Sequence, residues 1–181
     1  MQRFLELYTK KQIIFTEKRM RKMNKKINIL RAILIILLLI MFGTIFNFSN
    51  QNGDKSGSLS REVTEKVTQN INSIQKLEKS EKEKVLSKIE HYIRKLAHFS
   101  LYFTVGILTM SLMSTFDLKN IKRAGISLGI SALYAATDEF HQAFIPDRTS
   151  SVFDVLIDSS GALTGIIITF LVIRLAKKIL R

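Results

Sequence analysis

Residues 29–48, ILRAILIILLLIMFGTIFNF, decide the fold of this chain. From Ala32 to Phe48 the run is apolar except for three residues near its end. At 1.5 Å per residue, a helix over this run spans about 26 Å, which is close to the thickness of the hydrocarbon core of a bilayer. The stretch therefore predicts a transmembrane helix, which Ile29 and Leu30 extend on the other side of Arg31.

A secretory signal peptide is the alternative interpretation of this stretch. The apolar run is long for a signal peptide, and the residues after it, Phe46-Asn47-Phe48-Ser49, contain no small-x-small cleavage motif. An uncleaved membrane helix is therefore favoured.

Three further apolar stretches predict an all-α integral membrane bundle of four transmembrane helices. The predicted spans cover about residues 29–48, 96–116, 124–144 and 152–173. The third span ends in polar residues, so a re-entrant segment is the alternative for it. Around the spans we distinguish three regions: a basic N-terminal extension (1–26), a membrane domain (27–175) and a basic tail (176–181).

The formal net charge of +13 on 181 residues is unevenly distributed. Lys and Arg concentrate in residues 1–31, in the 117–123 linker and in the C-terminal tail. Because short segments rich in Lys and Arg stay in the cytoplasm, we predict that both termini are cytoplasmic and that the 49–95 and 145–151 segments face outward. The basic clusters flank membrane spans and lack interleaved aromatic platforms for stacked bases, so no nucleic-acid partner is predicted.

The outer loop, residues 49–95, predicts two amphipathic helices on the membrane surface or on the bundle. After Ser60, apolar residues recur with the spacing of one helical face. These residues are Val63, Val67, Ile71, Ile74 and Leu77. A capping-box pattern begins a second helix at Ser80. The heptads are too few to favour a soluble coiled coil.

The predicted topology brings the ionisable residues of the apolar stretches to one outer layer. This polar cluster consists of Arg94, Lys95, His98, Asp138, Glu139, His141, Gln142, Arg148, Asp154 and Asp158. Charged residues inside a membrane are costly and by default mark a functional site. Asp154 also suits the role of a helix N-terminal residue, and Arg148 could reach toward lipid phosphate.

Small residues predict where the helices approach each other. Gly161 and Gly165 form a small-xxx-small pair, and Gly125 and Gly129 form another. Asp154 and Asp158 share the stripe of Gly161, so we expect both carboxylates to face a neighbouring helix.

The chemistry of the polar cluster leaves two interpretations open. Carboxylates and histidines can bind a divalent metal or act as general acid and base. The sequence lacks His-Glu-x-x-His, cysteine pairs and a Gly-rich phosphate loop, so no cofactor is predicted and a divalent metal is kept as an alternative. A site for an anionic headgroup that uses Arg94, Lys95 and Arg148 is at least as well supported. The absence of cysteine excludes disulfides and a cysteine nucleophile.

Three motifs resemble the VanZ-like family of small bacterial membrane proteins, over about residues 27–175. The first is Asp138-Glu139-Phe140-His141-Gln142 with Phe144, Pro146, Arg148, Asp154, Asp158, Gly161 and Gly165 after it. The second is Arg94-Lys95-x-x-His98-Phe99-x-x-Tyr102. The third is Phe48-Ser49-Asn50-Gln51 with Gly53 and Ser56, where Asn50 departs from the common Ser-Ser-Gln.

The resemblance implies a four-helix protein of the bacterial cell membrane. The founding member of the family is associated with low-level resistance to the glycopeptide teicoplanin, and the family has no established reaction. We therefore expect membrane lipids as partners and a pocket that binds a lipid headgroup, a lipid-linked wall precursor or a lipoglycopeptide. The alternative is a membrane-embedded enzyme that modifies a lipid or lipid-linked glycan through Asp, Glu and His.

Overall fold

A computed structural model describes residues 1–50, 53–146, 148 and 150–180, and for residues 2–16, 53–57 and 59 it describes only the helical backbone. This part of the chain is all-helical and has no strand. Its six helices are α1 (Gln2–Ser49), α2 (Gly53–Thr68), α3 (Asn72–Gln75), α4 (Lys79–Met113), α5 (Asn120–Gln142) and α6 (Val152–Ile179). The predicted boundary between the basic extension and the first span lies inside α1, which is continuous.

Three of the described helices are long and apolar enough to cross a membrane. They are Glu17–Ser49 of α1, Lys79–Met113 and Val152–Ile179. α5 is not among them, because charged residues stand near both of its ends: Lys122 and Arg123 at the start, Asp138 and Glu139 at the finish. Three of the four predicted spans thus have a matching apolar helix, and the third span stays a prediction.

α4 differs from the predicted boundaries. We expected an amphipathic helix from Ser80 and a separate span over 96–116, whereas one helix runs from Lys79 to Met113. The segment before residue 96 is rich in Lys and Glu and contains no Gly or Pro, so nothing interrupts the helix there. The helix ends in a turn before Phe116.

α2 packs on α4 through its threonines and leaves the predicted apolar stripe exposed. Val63 and Val67 are exposed, whereas Thr64 and Thr68 are almost completely buried. Both threonine hydroxyls donate to carbonyl oxygens of their own helix, Thr64 to Ser60 O at 2.7 Å and Thr68 to Thr64 O at 2.8 Å. These small, internally satisfied side chains can be buried where a larger polar residue could not.

α1, α4, α5 and α6 alternate in direction, so their polar residues meet at one end. Side-chain contacts join Arg31 to Thr115 at one end of the bundle. At the other end Gln142 contacts Ser49 and Lys95 contacts Asp154. The "polar end" is the end of the bundle where α1 and α5 end. The "basic end" is the opposite end, which contains Arg123, Arg174, Lys177 and Lys178.

α4 and α6 run parallel and touch backbone to backbone through glycines. A Cβ atom on Gly161 would lie 2.4 Å from the carbonyl oxygen of Phe99, and one on Gly165 would lie 2.2 Å from that of Phe103. Gly106 of α4 meets Ala162 in the same way, at 2.1 Å. Only residues without a side chain allow this approach.

The other predicted glycine pair is placed differently. A Cβ atom on Gly125 or Gly129 of α5 would meet no atom within 4 Å in the described structure. These two positions therefore lie away from the close helix contact, although they repeat the same spacing.

Candidate functional site

A cavity of about 340 Å³ opens at the polar end, between α4, α5 and the start of α6. Eight predicted cluster residues line it, together with His91, Ser151 and Ile157. The eight are Arg94, Lys95, His98, Glu139, Gln142, Arg148, Asp154 and Asp158. Helices of alternating direction, tied by the glycine contact between α4 and α6, bring these distant parts of the sequence together.

Three ligand-type side chains converge in the inner part of this region. One nitrogen of His98 and one carboxylate oxygen each of Asp138 and Asp158 lie within 4.8 Å of one another. His98 Nδ1 is 3.6 Å from Asp158 Oδ2. Asp158 is 1% exposed and Asp138 is 4% exposed, so both carboxylates lie inside the bundle.

Each buried carboxylate has one oxygen without a hydrogen-bond partner among the described residues. These atoms are Asp138 Oδ1 and Asp158 Oδ1. The other oxygen of Asp138 accepts a hydrogen bond from Gln142 Nε2 at 3.0 Å. Because a buried carboxylate oxygen without a partner is costly, these two atoms are suited to receive a donor or a cation.

The rim of the cavity is held by ion pairs and one backbone contact. Lys95 Nζ contacts Asp154 Oδ1, and Arg94 Nη2 lies 3.2 Å from Glu90 Oε1. The backbone N–H of Ser151 donates to Glu139 Oε1 at 2.5 Å. Asp154 thus joins α6 to α4 in addition to lying in the first turn of α6, whose N-cap is Ser151.

Arg148 connects the loop before α6 with α1 and α5. Its guanidinium donates to Gln142 Oε1 at 3.1 Å and to the carbonyl oxygen of Phe48 at 2.8 Å. Burial lowers the pKa of the Arg148 guanidinium, but arginine remains protonated in proteins. The side chain therefore carries its positive charge into the cavity wall.

A comparison with known protein families shows which family the chain belongs to. The model of the VanZ/LLP1 family matches residues 34–174, which is most of the chain. The chain belongs to the VanZ/LLP1 family. The predicted resemblance is therefore confirmed, and the matched range contains all ten residues of the polar cluster. No curated protein matches the chain, and no solved structure does.

One cluster residue of this VanZ/LLP1 chain faces elsewhere. The ring of His141 stacks on Phe46 of α1, with 4.9 Å between ring centroids. It does not line the cavity. Helical periodicity accounts for the difference, since His141 directly precedes Gln142 and one residue corresponds to a rotation of about 100° about the axis of α5.

Two buried polar residues of the site were not among the predicted cluster. Ser49 is fully buried, and its hydroxyl lies 3.2 Å from Gln142 Nε2. Tyr102, also fully buried, has a hydroxyl group without a hydrogen-bond partner in the described structure. Both residues belong to the motifs that carry the VanZ-like resemblance, and this membership could have identified them as residues of the site. Gln51, Gly53 and Ser56 of the third motif fall at positions whose side chains lie outside the described residues.

Proposed function

We propose that the chain is a four-crossing membrane protein with the polar end at the outer face. The fourth crossing is α5, whose 23 residues would span about 34 Å. Its exposed large side chains are apolar, namely Ile121, Ile126, Leu133 and Phe140. Several of its polar side chains are buried, namely Ser127, Ser131, Asp138 and Gln142. Apolar groups outside and polar groups inside are what a lipid environment favours.

The charge distribution supports the proposed orientation. Arg123, Arg174, Lys177 and Lys178 line a cleft at the basic end. Arg31 also lies at this end, where it donates to Thr115 and stacks over the ring of Phe116 at 4.1 Å. A basic end belongs in the cytoplasm by the positive-inside rule, which leaves the polar cavity outside.

We further propose that the polar cavity binds the phosphate-bearing headgroup of a lipid. The observation that carries this proposal is the set of cationic side chains, Arg94, Lys95 and Arg148, around one cavity. Buried Nε of Arg94 has no hydrogen-bond partner among the described residues and is free to donate to a ligand. Arginine and lysine are the residues that recognise phosphate.

The size of the cavity limits what it holds. At about 340 Å³ it lies at the small end of ligand-binding sites. A phosphate or pyrophosphate with part of its sugar or glycerol fits this space better than a complete lipoglycopeptide. A lipid-linked wall precursor and an ordinary anionic phospholipid share this chemistry. Resistance to teicoplanin would then follow from altered presentation of such lipids at the membrane surface.

Binding can be measured on purified protein in phosphatidylcholine nanodiscs by native mass spectrometry. We expect retention of phosphatidylglycerol or a polyprenyl phosphate, and loss of most of it in Arg94→Gln. Lys88→Gln is the matched control, because Lys88 is an exposed cation of α4 outside the cavity. Equal retention by Arg94→Gln and Lys88→Gln would overturn the proposal. Preference for the polyprenyl phosphate would indicate a wall precursor, and preference for phosphatidylglycerol a bulk phospholipid.

An enzyme is the second candidate function, and the pair of His98 and Asp158 beside the cavity favours it. An imidazole and a carboxylate at this distance can move a proton to or from a bound molecule. Lipid and wall-precursor profiles of cells that express the wild type or Asp158→Asn separate the two candidates. A new lipid or glycan species that depends on Asp158 would favour the enzyme. An unchanged profile with altered teicoplanin susceptibility would favour binding.

A further inference from the structure

We infer that His98, Asp138 and Asp158 form a site for a divalent cation at the inner wall of the cavity. The cation site stands on the geometry of these three residues, and its role as a bridge to phosphate rests on the proposed function. The ligands come from three helices, α4, α5 and α6, so the cation would also join these helices at the polar end.

The distances suit a cation that accepts both nitrogen and oxygen. The three ligand atoms lie within 4.8 Å of one another, and His98 Nδ1 is 3.6 Å from Asp158 Oδ2. Ligands at about 2.1 Å from a metal are roughly 3.0–3.5 Å apart in octahedral or tetrahedral geometry. The histidine and Asp158 are already near this spacing, and small side-chain rotations complete the set.

The two unpartnered oxygens are the independent observation that points to a ligand. Asp138 and Asp158 are each more than nine-tenths buried, and one oxygen of each has no hydrogen-bond partner among the described residues. Two neighbouring carboxylates repel each other, and an oxygen without a partner inside a protein has lost its hydration as well. A divalent cation would satisfy both oxygens together, which a single imidazole cannot do.

The cation would also change the charge of the cavity. Its three cationic side chains face three carboxylates, those of Glu139, Asp154 and Asp158. Asp138 beside them makes the sum −1, and a divalent cation makes it +1. The metal would therefore change the net charge of this region from −1 to +1 and so favour phosphate, with Arg94 as an additional donor.

The ligand types select the class of cation. Two carboxylates and an imidazole suit first-row divalent ions such as Mn²⁺ and Zn²⁺, whereas Ca²⁺ and Mg²⁺ prefer oxygen ligands alone. The sequence holds no cysteine that would add a thiolate.

The test uses the full chain, purified, depleted of metal and placed in phosphatidylcholine nanodiscs, with Mn²⁺ alone as the probe. Titration followed by electron paramagnetic resonance should show one bound Mn²⁺ per chain, displaced by Zn²⁺. His98→Gln and Asp158→Asn should each weaken Mn²⁺ binding about tenfold or more. Asp154→Asn is the matched control, because it removes a cavity carboxylate that contacts Lys95 and not the three proposed ligands.

Two results would overturn the cation site. One is the absence of stoichiometric Mn²⁺ binding to folded wild-type protein. The other is an equal loss of binding in Asp154→Asn and in the ligand variants, which would indicate general attraction to acidic groups. If Asp158→Asn fails to fold, the His98→Gln titration decides the question.

Lipid retention with and without Mn²⁺ separates this inference from the proposed function. Retention of phosphate-bearing lipid by a chain that binds no Mn²⁺ overturns only the cation site. Stoichiometric Mn²⁺ binding without lipid retention supports the cation site and overturns the proposed function.

Discussion

Gly165→Ala should loosen the contact between α4 and α6 that holds the site together. The new Cβ atom would lie 2.2 Å from the carbonyl oxygen of Phe103 and 3.0 Å from the backbone nitrogen of Ile107. Ordinary contact begins at 3.4 Å, so the two helices must separate by about 1 Å at this point. Overpacking of this kind typically costs about 1–3 kcal/mol, and backbone atoms cannot rotate away as a side chain can.

Gly129→Ala is the matched control for this substitution. A Cβ atom there meets nothing within 4 Å, and alanine is a better helix former than glycine by up to about 1 kcal/mol. The control should therefore leave the free energy of unfolding unchanged or raise it, whereas Gly165→Ala should lower it. Unfolding in mixed detergent micelles, followed by far-ultraviolet circular dichroism, measures both. Equal stability of the two variants would refute the proposed role of the close helix contact.

Two further substitutions probe contacts outside the cavity. Arg31→Ala removes two hydrogen bonds to Thr115, at 3.0 and 2.7 Å, and should lower the free energy of unfolding by about 1–3 kcal/mol. The control is Arg19→Ala on the exposed part of α1, which should change the free energy of unfolding by less than about 0.5 kcal/mol. Tyr134→Phe removes a 2.6 Å hydrogen bond to a carbonyl oxygen of α1 and should cost about 1 kcal/mol. Tyr92→Phe is its control, since Tyr92 is 71% exposed, and the same detergent titration compares both pairs. Equal values within either pair would contradict the corresponding contact.

The sequence could predict the helices that are long and apolar enough to cross a membrane, because apolar length is a strong signal. The long apolar runs of α1, α4 and α6 correspond to helices that could cross a membrane. α5 gave a weaker signal because its buried face is polar, and an average over the helix mixes this face with the exposed apolar one. Such a helix is recognised by which face carries the polar side chains and which face carries the apolar ones, and not by its average hydropathy.

The spacing of residues in the sequence could not predict which side chains of a helix point toward its neighbours. The valines of α2 form an apolar stripe, but Thr64 and Thr68 are the residues that are buried, which the hydrogen bonds of their hydroxyls within the helix allow. Likewise Gly125 and Gly129 have the spacing of a packing motif, yet the close contact is made by Gly161 and Gly165 against α4. The spacing of residues shows which of them share one face of a helix. Which neighbouring helix contacts that face depends on the packing of the whole bundle.

The members of the site were partly predictable for the same reason. Lys95 lies just before the apolar part of α4 and Asp154 lies in the first turn of α6, and the two side chains meet because these helices run parallel from the polar end. His141 and Ser49 depended on rotation about the helix axis: the first turns toward Phe46, and the second is buried beside Gln142. Such rotations follow from packing, which a single sequence does not display.

Single-cysteine labelling tests most directly the central claim that the polar cavity opens at the outer face of a four-crossing protein. The chain has no cysteine, so Ser150→Cys beside the cavity and Asn120→Cys at the start of α5 each introduce one thiol at an exposed position. In intact cells a membrane-impermeant maleimide should label Ser150→Cys, whereas Asn120→Cys should be labelled only after permeabilisation. Labelling of both thiols in intact cells, or of Asn120→Cys alone, would contradict the account.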